Sequence, residues 1–163
     1  MLFDYPITSF HFMVRFSLPA STARRIARDG IAFILPVDFA FQSVSGLDVQ
    51  LETETLKEGG ENRFEHTLPL RTKYSNLVLK RSIGVPIVSG LTSWCKQTFE
   101  KAIYLPLDLQ VILLDENHIP LLFWNVIHAW PVNWKIGELN AEKGEILIET
   151  LELKYNYYSF QEL

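Results

Sequence analysis

The chain has 163 residues, 48% of them apolar and 13% aromatic, a length that fits one domain with a sizeable core and a composition that excludes intrinsic disorder. A formal net charge of -4 argues against a surface of clustered Lys and Arg that neutralises phosphates, and so against specific nucleic-acid binding. Cys95 is the only cysteine, which excludes an intramolecular disulfide and a multi-cysteine zinc site and fits folding in a reducing cytoplasm.

The opening MLFDYPITSFHFMVRF lacks the basic start, unbroken apolar stretch and small-residue cleavage site of a signal peptide. No apolar run approaches the roughly 20 residues of a membrane-spanning helix, so membrane insertion is not expected. Phe10, Phe12, Val14 and Phe16 alternate with His11, Met13, Arg15 and Ser17, the period of a strand over 10–17 that buries one face. Residues 18–37 stand apart. Within them Pro19-Ala20-Ser21-Thr22 can cap a short helix over 23–29 that Gly30 ends, grouping Arg24, Arg25 and Arg28. Ile31, Phe33 and Leu35 then belong to an apolar run, bounded by Pro36, that must pack on something.

Phe39 and Phe41 resume the alternation, and Gly46 permits a turn or bulge into a longer strand. There Leu47, Val49 and Leu51 oppose Asp48, Gln50, Glu52 and Glu54, so the polar side is acidic. The sequence Lys57-Glu58-Gly59-Gly60-Glu61-Asn62 reads as a turn, and Phe64, His66 and Leu68 continue beyond it, which predicts a long hairpin over 47–68. Residues 69–75 are polar and punctuated, and Leu77 and Leu79 mark another strand. Past Pro86, Ile87, Leu91, Trp94, Cys95, Thr98, Phe99 and Ala102 recur at helical spacing and predict a helix over about 86–102.

Strands are expected over 108–114 and 121–128, joined by the turn Asp115-Glu116-Asn117-His118. Pro131 is expected to bend the chain before Trp134 and Ile136, and a loop over 138–144 leads to a closing strand at about 146–155. Strands far outnumber helices and no strand-helix alternation repeats, which argues for a mainly β protein. The expected architecture is one domain over 1–163, an antiparallel β-barrel or sandwich of two packed sheets with a flanking α-helix.

Residue types that carry chemistry are scattered. His11, His66, His118 and His128 fall on different predicted strands and turns without zinc-ligand spacing, and Cys95 sits at a core position of the helix. Gly59-Gly60 lacks the lysine and hydroxyl of a phosphate loop. Glu52 and Glu54 share a strand face, where paired carboxylates either do acid-base work or, far more often, form a solvated face. No enzyme activity, cofactor or metal is expected.

The ordered matches Ser45-Gly46-Leu47 with Glu52, Glu58-Gly59-Gly60, Arg71-Thr72-Lys73-Tyr74-Ser75-Asn76-Leu77, Leu79-Lys80-Arg81, Ala129-Trp130-Pro131 and Ile148-Glu149-Thr150-Leu151-Glu152-Leu153 carry a resemblance. They resemble the contractile phage tail tube protein family, T4-like or Hcp-like, also found in extracellular contractile injection systems. The resemblance covers the chain except residues 18–37. It implies an Hcp-like fold whose subunits close into homohexameric rings that stack into a tube, as tube initiator or main tube subunit; the alternative on the same fold is a secreted ring that acts as an effector carrier or chaperone. The implied partners are further copies, adjacent rings, spike or baseplate proteins, and cargo translocated through the lumen. Synthesis in the bacterial cytoplasm and incorporation into a phage tail or injection particle, released or not, are implied as well.

On that resemblance Glu58, Gly59 and Gly60 are expected to reach the adjacent ring, and Glu52 and Glu54 to face a lumen that repels acidic cargo. Residues 18–37 are the departure, since the tube subunits that the chain resembles turn tightly there. An apolar insertion with an arginine cluster, Arg24, Arg25, Arg28, Ile31, Phe33 and Leu35, is expected to cover a spike or baseplate partner as a tube initiator does, or else to fold back on its own domain.

Overall fold

The structure is a computed structural model that describes residues 11–36, 40–60, 62–84 and 89–162. Its elements in chain order are β1 (Phe12–Ser17), α1 (Ala20–Asp29), β2 (Ser43–Ser45), β3 (Val49–Leu56), β4 (His66–Tyr74) and β5 (Leu77–Ser82). They continue with α2 (Gly90–Lys101), β6 (Leu107–Leu114), β7 (Pro120–Ile136), β8 (Ile148–Lys154) and β9 (Tyr157–Glu162). Phe10, Phe39, Glu61 and the expected helix start at 86–88 lie outside the described residues.

Every pairing is antiparallel, and β7 organises them. Its first half lies between β6 and β9, with β1 beyond β6, and its second half pairs with β8, which leads on to β5 and β2. Two sheets therefore share one strand. Among the described residues they do not close into a barrel, which corrects the barrel half of the expectation and keeps the packed sheets. Among the described residues β3 and β4 pair only with each other.

The change of partner along β7 happens at His128, which adopts φ 60 and donates its backbone N–H to Asp108 Oδ1 at 2.9 Å. The extra β7 residue there shifts the register against Leu107 and Leu109 and turns the strand from one sheet into the other. Pro131 follows, paired with Leu153 beside a second shift, where a ladder already broken tolerates a missing N–H. The expected interruption is thus a corner within one 17-residue strand. Likewise β4 runs through Pro69 as far as Tyr74, longer than expected, because Pro69 stands at the bulge opposite Thr53 on a strand with a free edge. β9 was not expected; it pairs with β7 from Ile127 to Leu122.

The core fills the space between the sheets. Val14, Phe16, Leu109, Val111 and Val126 come from one side, and Leu77, Leu79, Leu151 and Leu153 from the other. α2 adds Leu91, Trp94 and Cys95, and the Trp94 indole donates to the Leu105 carbonyl at 2.8 Å, so its one polar atom is satisfied in the interior. Ser89 caps α2 by accepting from the Thr92 N–H, and Ala102 in the left-handed region ends it.

Candidate assembly surfaces

The first surface is the β3–β4 hairpin, a two-stranded ribbon that stands clear of the core. Val49, Leu51 and Leu56 on one strand and Leu68 and Leu70 on the other are exposed, and so is Phe64 near the tip. A lone ribbon with apolar residues exposed on its strands and both edges free is marginal in water and needs partners. Its root is nevertheless fixed. Gly46 takes φ 91 in a passage so tight that a Cβ would lie 2.0 Å from the Asn76 carbonyl oxygen. Tyr158 donates to the Leu47 carbonyl at 3.2 Å, and the Tyr74 ring packs against those of Tyr155 and Tyr158.

At the tip Gly60 has φ 103 and Gly59 has open space around it, while His66 Nε2 lies 3.5 Å from Glu58 and Lys57 Nζ 3.6 Å from Glu65. Glu52 and Glu54 share one face of the hairpin, as alternation requires, but that face is not acidic throughout. Arg71 Nε lies 3.7 Å from Glu52, and Lys73 is the cross-strand partner of Gln50. The expected acidic side is corrected to one of mixed sign, because β4 brings Arg71 beside Glu52 and Lys73 opposite Gln50.

Residues 18–36 are the second surface, and they fold back on their own domain. Thr22 Oγ1 donates to the Pro106 carbonyl at 2.7 Å, Arg25 to that of Tyr104 at 2.6 Å, and Gln97 Nε2 to that of Ala32. Pro36 is fully buried, and Leu35 crosses α2 so closely that a Cβ on Gly90 would sit 2.9 Å from its carbonyl oxygen. Ile26, Ile31, Phe33 and Leu35 pack against the core. The expectation that Ile31, Phe33 and Leu35 cover a partner is therefore corrected: the hydrogen bonds to Ala32 and Tyr104 turn that run inward. Arg24, Arg28 and Ile34 remain exposed. Arg28 binds Asp29 through two nitrogens, and these bonds hold the Asp29 carboxyl below its ordinary range.

Between α1 and β7 lies an open groove of about 480 Å³, lined by Ser21, Arg25, Tyr104, Pro106, His128 and Trp130 among others. The sequence singled out Ala129-Trp130-Pro131 but gave no sign that α1 would form a wall beside it.

Among the described residues, chemistry-bearing side chains do not converge. Burial pushes the Cys95 thiol up to about 12, with the nearby Glu149 carboxylate adding to it, the opposite of an activated nucleophile. His11 Nδ1–H donates to the Asp115 carbonyl at 3.0 Å and its Nε2 accepts from His118 Nδ1 at 2.9 Å, which ties β1 to the β6–β7 turn. Sequence spacing gave no hint of that pair. Among the described residues no three metal-ligating side chains come together.

The family described as T4-like virus tail tube protein gp19 matches residues 8–159. A chain of the anti-feeding prophage (AFP) baseplate structure, six-fold symmetrised, is 31% identical with a TM-score of 0.82, over 98% of this chain and 97% of that one. A chain of the sheath-tube complex of the extracellular contractile injection system PVC is 21% identical with a TM-score of 0.76, over 99% and 95%. Hcp1 from Flavobacterium johnsoniae shares the fold at 16% identity and a TM-score of 0.54, over 94% and 96%. No curated protein matches the chain.

Proposed function

The chain belongs to the T4-like virus tail tube protein family, a family of structural components and not of enzymes, and on that premise we propose that it forms a hexameric ring at the baseplate end of an inner tube, joining spike to tube. The observation that carries ring formation is the β3–β4 hairpin, fixed at its root and bare of partners beyond it. Neighbouring copies complete it, its faces contribute to the inner wall with Glu52 and Glu54 toward the lumen, and its tip at Glu58, Gly59 and Gly60 meets the next ring. Cargo passes through that lumen. Six copies is the number that the six-fold symmetry of the related AFP baseplate supports.

The likeness to a baseplate chain supports the initiator position. On α1, Arg24 projects away from Ile26, which packs inward, and Ile34 is exposed beyond it. These outward residues are the contact for a spike or baseplate protein. A main-tube position is the second reading, and the likeness to the PVC sheath-tube chain favours it. The protein is made in the cytoplasm and works within an assembled particle.

Negative-stain electron microscopy of the purified protein, alone and mixed with its particle's spike protein, separates these readings. Rings that form only with the spike are expected for an initiator. Tubes formed by the protein alone make it a main-tube subunit, and monomers in both samples overturn ring formation.

A further inference from the structure

The two most exposed large apolar side chains among the described residues are Leu139 at 80% and Ile146 at 72%, and both stand on the loop between β7 and β8. This loop is ordered from within. The Glu142 N–H donates to Asn140 Oδ1 at 2.9 Å, the Gly137 N–H to the Ile148 carbonyl at 2.8 Å, and the Ile83 N–H to the Leu147 carbonyl at 3.0 Å. Glu138, Glu142 and Glu145 flank the two apolar residues, with Lys143 as the one cation, so the loop is a preformed apolar knob of net charge -2 (three carboxylates less one ammonium).

The groove between α1 and β7 has the complementary character. Tyr104, Pro106 and Trp130 give it apolar walls, and Arg25 and His128 also line it. Arg28 follows Arg25 on the same helical stripe, and Asp29 balances only one of the two guanidinium groups. The knob stands away from the groove of its own chain: Ile136 is six positions along β7 from Trp130, about 20 Å of strand, the loop begins only after that, and Leu139 and Ile146 are exposed.

We propose that the loop over residues 138–147 of one copy seats in the α1–β7 groove of the neighbouring copy, with Leu139 and Ile146 against Tyr104 and Trp130 and the loop carboxylates toward Arg25 and Arg28. The contact rests on the ring reading above and names the surfaces that would make it. Two different patches meet, so it is heterologous, the kind of contact that closes into a ring when the rotation allows. Both partners are ordered before they meet, so little conformational freedom is lost on association. Arg24 and Ile34 stay free for the spike or baseplate side.

The test uses whichever sample forms rings, the protein alone or mixed with its spike protein. A variant with Leu139→Cys and Tyr104→Cys is oxidised and run on a non-reducing gel beside each single variant, the native Cys95 being buried. The double variant is expected to give a ladder of linked copies that neither single variant gives. A second variant, Leu139→Ser with Ile146→Ser, alters only exposed side chains and is expected to keep its melting temperature while ring yield falls at least tenfold. Wild-type ring yield from the serine variant, with no ladder above the single-cysteine controls, overturns the contact and leaves the ring reading standing. If wild type gives no rings in either sample, the ring reading fails and this contact fails with it.

Discussion

Arg81 of β5 and Glu149 of β8 form an ion pair beneath the first turn of α2, with side chains 11% and 3% exposed. The second Glu149 oxygen accepts from the Trp134 indole at 2.6 Å, and Arg81 Nη2 donates to the Ser89 hydroxyl at 3.1 Å, so the pair joins the two inner strands of the second sheet, and β7 through Trp134, to the helix cap. Removing one partner strands a buried charge. Glu149→Leu is expected to cost about 3–5 kcal/mol in urea unfolding, and the double variant with Arg81→Met to recover a large part of it. A single-variant loss below about 1 kcal/mol would show that the pair does not tie sheet to helix.

The two tip glycines separate a folding role from an assembly role. Gly59 has ordinary φ and open space around it, so Gly59→Val is expected to leave the melting temperature of the monomer within experimental error. Gly60 at φ 103 has equal space but a backbone that a β-branched residue resists, and Gly60→Val is expected to cost about 1–3 kcal/mol. Lost tube stacking in Gly59→Val, with stability unchanged, is the expected sign that the tip touches the next ring. Full-length tubes from that variant remove the tip from the stacking contact.

Alternation exposed most of the fold in the sequence. Val14 and Phe16, Leu77 and Leu79, and Leu151 and Leu153 lie inward on strands whose period could be read directly. The errors fell where a local exception overrides the period. Pro131 and Pro69 sit in strands because adjacent bulges remove the need for their N–H groups, and a bulge leaves no mark in composition. The site was legible at the hairpin, where a connection carrying Gly59 and Gly60 separates alternating runs. It was not legible at the α1–β7 groove or at the His11–His118 pair. Those depend on residues 79 or more positions apart that only sheet topology brings together.

Truncation is the wrong probe of residues 20–36, because their inner face packs against the core. Deleting residues 20–36 removes the partners of Gly90, Gln97 and Tyr104 and is expected to lower the melting temperature as well as attachment. Arg24→Glu with Ile34→Ser changes only what points outward. This variant is expected to melt like wild type, form rings, and lose co-purification with the spike or baseplate protein. Normal particle yield from it sinks the initiator reading while the tube reading survives.

Two buried acids predict alkaline behaviour. Burial pushes both the Cys95 thiol and the Tyr155 hydroxyl up to about 12, and the unfolded chain ionises them near 8.5 and 10. A group whose pKa is raised on folding contributes its full stability below the unfolded value. That contribution is lost as pH rises toward the folded value, because only the unfolded state then releases the proton. Urea midpoints are therefore expected to fall from about pH 9 upward and to go on falling to about pH 12. Cys95→Ala is expected to remove the part that begins first, and Tyr155→Phe the part above about pH 10, each at the expense of some baseline stability from a lost contact. Tyr155 also donates to the Gly46 carbonyl at 3.4 Å, so its ionisation unlocks the hairpin root. Amide exchange in β3 and β4 is then expected to accelerate before global unfolding between pH 10 and 12, and simultaneous exchange in β5 and β8 would show that the root is no separate hinge.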